Sequence, residues 1–343
     1  MIKISSGYAQ IALAVILGFA ISFGILAKPP SFLPRDHGRA FAVAGEKSKG
    51  KIRGVGLLFI CAYILIALLF LPFSLEFAGY LALLFFSMLF GYLDDASEKP
   101  WSDYLKGALD FGISVLAMFL FLWHNPSDIY FFGKSLTLPP ALYFVLGIVL
   151  IWVSVNVVNC SDGVDGLCGS VSAISFLSFA MLIWGIARRI WEEEIIGEAL
   201  QENFPLGPSF SGEDAYLLLG ACLLFISVLL AYLWFNISPS SQLMGDAGSR
   251  AIGFFLAIIA MKSGHPWAFV PFCLVMILDG GLGLVKIFLL RFFKISLFKN
   301  IRMPLHDHFR KALGWSDTQV VGRYIILQIL ISAAAMGIVF RFA

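Results

Sequence analysis

The sequence predicts an all-α polytopic membrane protein: ten transmembrane helices with a small external β-hairpin and an external amphipathic helix, in one integral membrane domain over residues 1–343. Three observations lead there. Of the residues, 59% are hydrophobic and only 13% charged, about half the charged share of an ordinary soluble domain. Apolar runs of ~20 residues, the length that crosses a hydrocarbon core about 30 Å thick, recur along the whole chain. Lys and Arg gather in alternate breaks between those runs.

Read between charged, Pro-rich or Gly-rich breaks, the helices fall at about residues 8–27, 54–71, 77–93, 107–123, 140–158, 168–187, 214–235, 249–263, 267–290 and 323–341. The first run has no small-x-small cleavage site before Lys28 and reads as a membrane helix rather than a signal peptide. Residues 129–138 (IYFFGKSLTL) alternate around a Gly-Lys pair, the pattern of a hairpin. Residues 190–204 carry five glutamates and read as an amphipathic helix. Because Lys and Arg are held back from translocation, the face that carries seventeen of them, against six opposite, is expected in the cytoplasm, with both termini outside.

Composition also excludes some functions. A net charge of +2 is too small to suggest nucleic-acid binding. Five cysteines without a CxxC pair indicate neither a disulfide framework nor a zinc site.

The orientation, set from basic residues alone, puts five acids on the cytoplasmic side: Asp94 and Asp95 in GYLDDASEK, Asp162 and Asp165 in NCSDGVDGL, and Asp246 in MGDAGSRAIG. His306, Asp307 and His308 lie in the last inner loop, and Asn156, Asn159 and Asn236 near the same helix ends. Each feature alone has an ordinary explanation: solvated helix ends, a tight Asp-Gly turn, an N-cap at Asp246, surface histidines. Gathered on one face, the acids repel one another, so holding them together requires protons, cations or a bound metal. Oxygen donors without cysteine suit a hard divalent ion. Mg²⁺ is preferred, because its sites use one or two carboxylates and complete the shell with water and phosphate. Asp110, Asp279 and Lys286 lie nearer helix interiors, where a charge is expensive and often functional, though a buried partner or a wet groove accounts for it equally; Asp110 and Lys286 receive no role.

GYLDDASEK, NVVNCSDGVDGL, WFNISPSSQLMGDAGSRAIG and MPLHDHFRKALGW, in this order and at these helix ends, resemble the motifs of the polyprenyl-phosphate N-acetylhexosamine-1-phosphate transferases, above all the muramoyl-pentapeptide branch. The likeness covers almost the whole chain. It implies ten spans, an external hairpin and helix, and a cytoplasmic site in a bacterial inner-membrane protein. The reaction it implies moves phospho-N-acetylmuramoyl-pentapeptide from UDP to undecaprenyl phosphate, giving lipid I and UMP. Mg²⁺ would be held by Asp246, and Asp94 would deprotonate or orient the lipid phosphate with Asp95 assisting. Lys106 would hold phosphate; Asn159, Asp162, Asp165, Asn236, Leu243 and either Lys47 or Lys49 would line the nucleotide side; His306 and His308 would contact the sugar-phosphate. A second copy of the chain stays open as a partner.

The sequence departs from the family pattern at four places. Asp307 stands in a usual triple-His segment, KIRGVG replaces a threonine- and proline-containing segment, Leu243 replaces an aromatic residue, and Glu98-Lys99 shifts an expected lysine. The same chemistry on UDP-GlcNAc is the nearest alternative. A secondary transporter is the rival from another class, but transporters bind substrate near the bilayer midplane within repeated halves, and no repeat is seen.

Overall fold

The computed structural model describes residues 2–36, 38, 45–131, 134–196, 212–296 and 298–342. Its principal helices are α1 (Ile2–Ala27), α2 (Gly56–Phe70), α3 (Leu75–Asp95), α4 (Asp103–His124), α5 (Pro140–Ser161), α6 (Leu167–Ile196), α7 (Gly212–Asn236), α8 (Gly245–Lys262), α9 (Pro266–Phe272), α10 (Leu274–Phe293), α11 (Leu305–Ala312) and α12 (Asp317–Phe342). Among the described residues, seven helices are long and apolar enough to cross a membrane, and eight if α9 and α10, which meet at 71°, form one broken span.

The other two expected spans fall short for physical reasons. Helix α2 has 15 residues, only about 22 Å at 1.5 Å per residue. Helix α8 has 18 residues and carries Asp246, Arg250 and Lys262, yet every residue from Gly245 to Met261 is buried. Neighbours α2, α3, α5, α6 and α7 pack around it. A helix shielded from lipid by protein can keep charges that a lipid-facing helix cannot. At mid-height α8 adds Phe255 to an aromatic core, with Phe176 stacked on Phe225 at 4.5 Å, Phe225 on Phe255 at 5.2 Å, and Tyr63 tilted against Phe225 at 4.7 Å.

Strands β1 (Asp128–Phe131) and β2 (Lys134–Thr137) pair antiparallel, Asp128 opposite Thr137 and Phe131 opposite Lys134, where the alternation predicted a hairpin. The hairpin docks on the turn after α8: the Tyr130 N–H donates to the Gly264 carbonyl at 2.9 Å, and Trp267 Nε1 donates to the Tyr130 carbonyl at 2.6 Å.

Several helix ends differ from expectation; α1 and α4 begin six and four residues early, at Ile2 and Asp103. Helix α6 runs without interruption to Ile196, so residues 190–196 extend the sixth helix instead of beginning a separate one; 197–204 lie outside the described residues. Helix α12 begins at Asp317, six residues early. Ser316 Oγ accepts from the Gln319 N–H at 3.2 Å while Gln319 Oε1 accepts from the Ser316 N–H at 3.0 Å, a reciprocal capping box. Helix α8 begins at Gly245, four residues early, because another helix caps it.

Candidate functional site

A helix start leaves backbone N–H groups without intrahelical partners, and no side chain of its own caps α8. Asp95, the last residue of α3, does so instead. Its Oδ1 accepts from the Asp246 N–H at 3.1 Å and its Oδ2 from the Ala247 N–H at 3.1 Å, with the side chain wholly enclosed. Arg53 Nε donates to the same Oδ1 at 2.8 Å. Gly245 makes this approach feasible. Its φ is +68°, and a Cβ there would lie 2.1 Å from Asp95 Oδ2.

Asp95 thereby fixes Asp246, which is buried one residue into α8. Lys106 Nζ pairs with Asp94 Oδ2 and also lies 3.3 Å from Asp246 Oδ2, so the two carboxylates converge on one ammonium. Asp94 Oδ1 accepts from the Trp101 N–H at 2.7 Å. Asp246 further meets Arg250 Nε at 3.3 Å and Arg53 Nη2 at 3.5 Å. Those two arginines reach outward in turn, Arg250 Nη1 to Asp110 Oδ2 at 2.6 Å and Arg53 Nη1 to Asp36 Oδ1 at 3.2 Å. Burial works against the Arg53 charge, but Asp95, Asp246 and Asp36 outweigh it and raise its pKa above the ordinary guanidinium value.

Among the described residues of this linked cluster, five carboxylates (Asp36, Asp94, Asp95, Asp110, Asp246) meet three cations (Arg53, Lys106, Arg250). When all are ionised, two negative charges are left over. Among the described residues no group of three or more His, Cys, Asp or Glu is placed to hold a metal unaided. Mg²⁺ does not require one, since one or two carboxylates, water and substrate phosphate complete its shell. The donor set, all oxygen with a two-charge excess, fits that ion.

The loop after α5 forms the adjoining region. Asp162 closes α5, its N–H donating to the Asn159 carbonyl at 3.2 Å, while Asn159 Nδ2 donates to Ser249 Oγ at 2.9 Å. Asp165 Oδ2 accepts from Lys51 Nζ at 3.1 Å and from the Ser240 N–H at 2.9 Å. Asn236 ties this loop down, accepting from the Gly166 N–H at 2.9 Å and donating to the Gln242 carbonyl at 2.8 Å. Leu243 is half-buried and holds the 52–55 segment through its backbone, its N–H donating to the Ile52 carbonyl at 2.8 Å.

Ile52 bridges Arg35 on one side and Gln242 on the other, so residues 51–53 run extended, and Lys51 and Arg53 share a face as alternate residues of a strand do. Lys51 meets Asp165 and Arg53 meets Asp95, Asp36 and Asp246. Lys49 is exposed in a turn, and Lys47 lies in the short helical turn Gly45–Ser48 with its side chain outside the description. The Lys-Ile-Arg alternation was the sequence signal for Lys51 and Arg53. Arg250 was marked only by its spacing four residues after Asp246; its other partner, Asp110, lies 140 residues away.

The HDH segment forms α11. His306 is buried against Asp279 of α10, which also accepts from the Tyr324 hydroxyl at 2.9 Å. His308 is half-buried, its Nδ1 accepting from the Arg302 N–H at 3.4 Å. Asp307 turns to Arg310 at 3.3 Å and Arg302 at 3.5 Å.

The structure is an apolar helical bundle with a carboxylate-rich cluster and the 162–166 loop at one end. Comparison with known proteins gives its kinship. Residues 77–264 match the family model described as glycosyl transferase family 4. A phospho-N-acetylmuramoyl-pentapeptide-transferase of Treponema pallidum (strain Nichols) is 35% identical over 99% of this chain and 92% of its own length. Proteins of the same name from Bartonella quintana and Dictyoglomus turgidum are 31% and 27% identical, over 74% and 83% of this chain and 69% and 82% of their own lengths. The chain belongs to glycosyl transferase family 4 and, within it, to the phospho-N-acetylmuramoyl-pentapeptide-transferases.

Proposed function

We propose that the protein transfers phospho-N-acetylmuramoyl-pentapeptide from its UDP carrier to undecaprenyl phosphate, forming lipid I and UMP in peptidoglycan synthesis. Kinship over 99% of the chain supports the substrate. The observation that carries the chemistry is the convergence of Asp94 and Asp246 on Lys106 beside two arginines. An oxygen of the lipid phosphate bonds to the sugar-bearing phosphorus of the donor as the bond from that phosphorus to the UMP oxygen breaks. Such transfers depend mainly on positioning and charge stabilisation.

Lys106 holds phosphate between the two carboxylates, and Asp94 orients the lipid phosphate or accepts its proton. Asp95 keeps Asp246 and the α8 start in place. Asn159, Asp162, Asp165 and Asn236 shape the nucleotide side with Lys51, and His306 and His308 meet the sugar-phosphate. Asp246, with Asp94 beside it, would hold Mg²⁺, which when bound neutralises charge on the pyrophosphate and the leaving UMP. In this reading α2, α8 and the α9–α10 pair complete ten spans, the site faces the cytoplasm, and both termini face outward. That orientation follows from the basic residues.

The test is UMP release by purified protein with Mg²⁺ and undecaprenyl phosphate, comparing UDP-MurNAc-pentapeptide with UDP-GlcNAc, each with and without chelator. Chelator-sensitive release with the pentapeptide donor alone is expected. Release with UDP-GlcNAc alone moves the enzyme to another envelope polymer, and no release from folded protein with either donor overturns the transferase reading.

A further inference from the structure

We infer that Asp279 is a positioning residue for this reaction: it orients the His306 imidazole toward the 162–166 loop, with Tyr324 steadying the carboxylate. The inference rests on the transferase reading above. It begins with cost. A carboxylate at 1% exposure, in the apolar sequence LVMILDGGLGLV, persists only with full hydrogen bonding. Asp279 has it: Oδ1 accepts from the His306 N–H at 2.7 Å and from the Tyr324 hydroxyl at 2.9 Å, and Oδ2 lies 2.7 Å from His306 Nδ1.

The arrangement joins three elements at one point. Asp279 sits on a π turn, Ile277–Gly281, just beyond the break between α9 and α10; His306 opens α11; Tyr324 lies on α12. Single π turns inside helices gather at functional sites, where they re-aim a side chain. Here the carboxylate grips His306 by both its backbone and its ring. An ionised carboxylate only accepts, so Nδ1 carries the proton and Nε2 is the ring atom left to face outward.

Nε2 faces the loop that holds Asp162 and Asp165. A Cβ built at Gly163 would lie 2.3 Å from it, so the ring stands directly against the loop backbone. Asp307 Oδ1 lies 3.9 Å from Nε2, and that carboxylate is already engaged by Arg310 and Arg302. Since a misplacement of ~1 Å costs about 10²-fold in rate, the Asp279 carboxylate sets activity through a residue it holds rather than through substrate.

Coupling to His306 separates this role from a purely structural clasp. UMP release is measured on purified, folded wild type, Asp279→Asn, His306→Ala and the double variant, with UDP-MurNAc-pentapeptide and undecaprenyl phosphate. Asp279→Asn is expected to lower kcat/KM about 10²-fold in the wild-type background and less than ~3-fold in the His306→Ala background. Equal losses in both backgrounds overturn the inference and leave the transferase reading standing. No UMP from wild type overturns both. If Asp279→Asn does not fold, Asp279→Glu serves, keeping the charge while displacing the ring: its loss should likewise vanish without the imidazole, and persistence of that loss overturns the inference.

Discussion

The two ends of α8 both bury charge, in opposite ways. At its C-terminal end Lys262 Nζ lies 2.9 Å from Glu76 Oε2 and 2.8 Å from Asn125 Oδ1, while Glu76 Oε1 accepts from Tyr80 at 2.8 Å and from Asn125 at 2.6 Å. One cation meets one anion, and the polar neighbours occupy the rest of their bonding capacity. At its N-terminal end, among the described residues, five carboxylates meet three cations, and Asp94 and Asp246 share one lysine between them. A balanced network fastens α3, α4 and α8 together. An unbalanced one holds acids that its own cations do not neutralise, which is the condition for recruiting a further cation and, through it, phosphate.

Substitutions at the two ends should therefore separate. The largest effect is expected for Asp246→Asn, which keeps size and removes charge: kcat should fall on the order of 10³-fold, with a thermal midpoint within a few degrees of wild type. Gly245→Ala comes next. The added methyl meets Asp95 Oδ2 in a backbone conformation with φ +68°, so the cap on α8 should loosen and turnover drop roughly 10²-fold, read as UMP release per folded protein. Lys51→Met removes the lysine 3.1 Å from Asp165; steady-state kinetics should show the donor KM rising about 10-fold with kcat changed less. The smallest effect on turnover is expected for Lys262→Met, within ~2-fold of wild type per folded molecule. It should lower unfolding stability by ~2 kcal/mol, because Glu76 loses its buried partner.

The same contrast explains what the sequence reveals. Apolar runs dictate helices wherever a segment meets lipid or core, so most of the bundle is legible from hydropathy, as is the hairpin from its alternation. Helix starts held by distant residues are not. The first turn of α8, GDAG, is weakened by its two glycines, and its cap comes from Asp95, 151 residues away. The bend at Cys273 is marked only by Pro271, two residues before it in an otherwise apolar run, and the glutamate-rich stretch past Arg188 reads as helix without showing that it continues α6.

Within the site, Asp94, Asp95 and Asp246 drew attention because their motifs sit at helix ends on one face, and Lys106 through the family resemblance. Their other counter-ions did not. Arg250 shows in the sequence only an i,i+4 spacing to Asp246; that it also holds Asp110, at 2.6 Å, comes from the fold. Lys51 stood two residues from an expected nucleotide lysine, and only the extended path through Ile52 shows which way it points. Asp279 did carry a signal, a lone acid in an apolar run, but the fold was needed to supply His306 and Tyr324.

The most direct test of the proposed cation site at the start of α8 is a Mg²⁺ titration of UMP release by wild type, Asp246→Asn and Lys262→Met, side by side and normalised to folded protein. Wild type and Lys262→Met should follow one Mg²⁺ curve to a similar plateau, while Asp246→Asn should stay near background at every concentration. Near-normal, Mg²⁺-saturable turnover by Asp246→Asn would remove the role assigned to that carboxylate and, with it, the distinction drawn between the two ends.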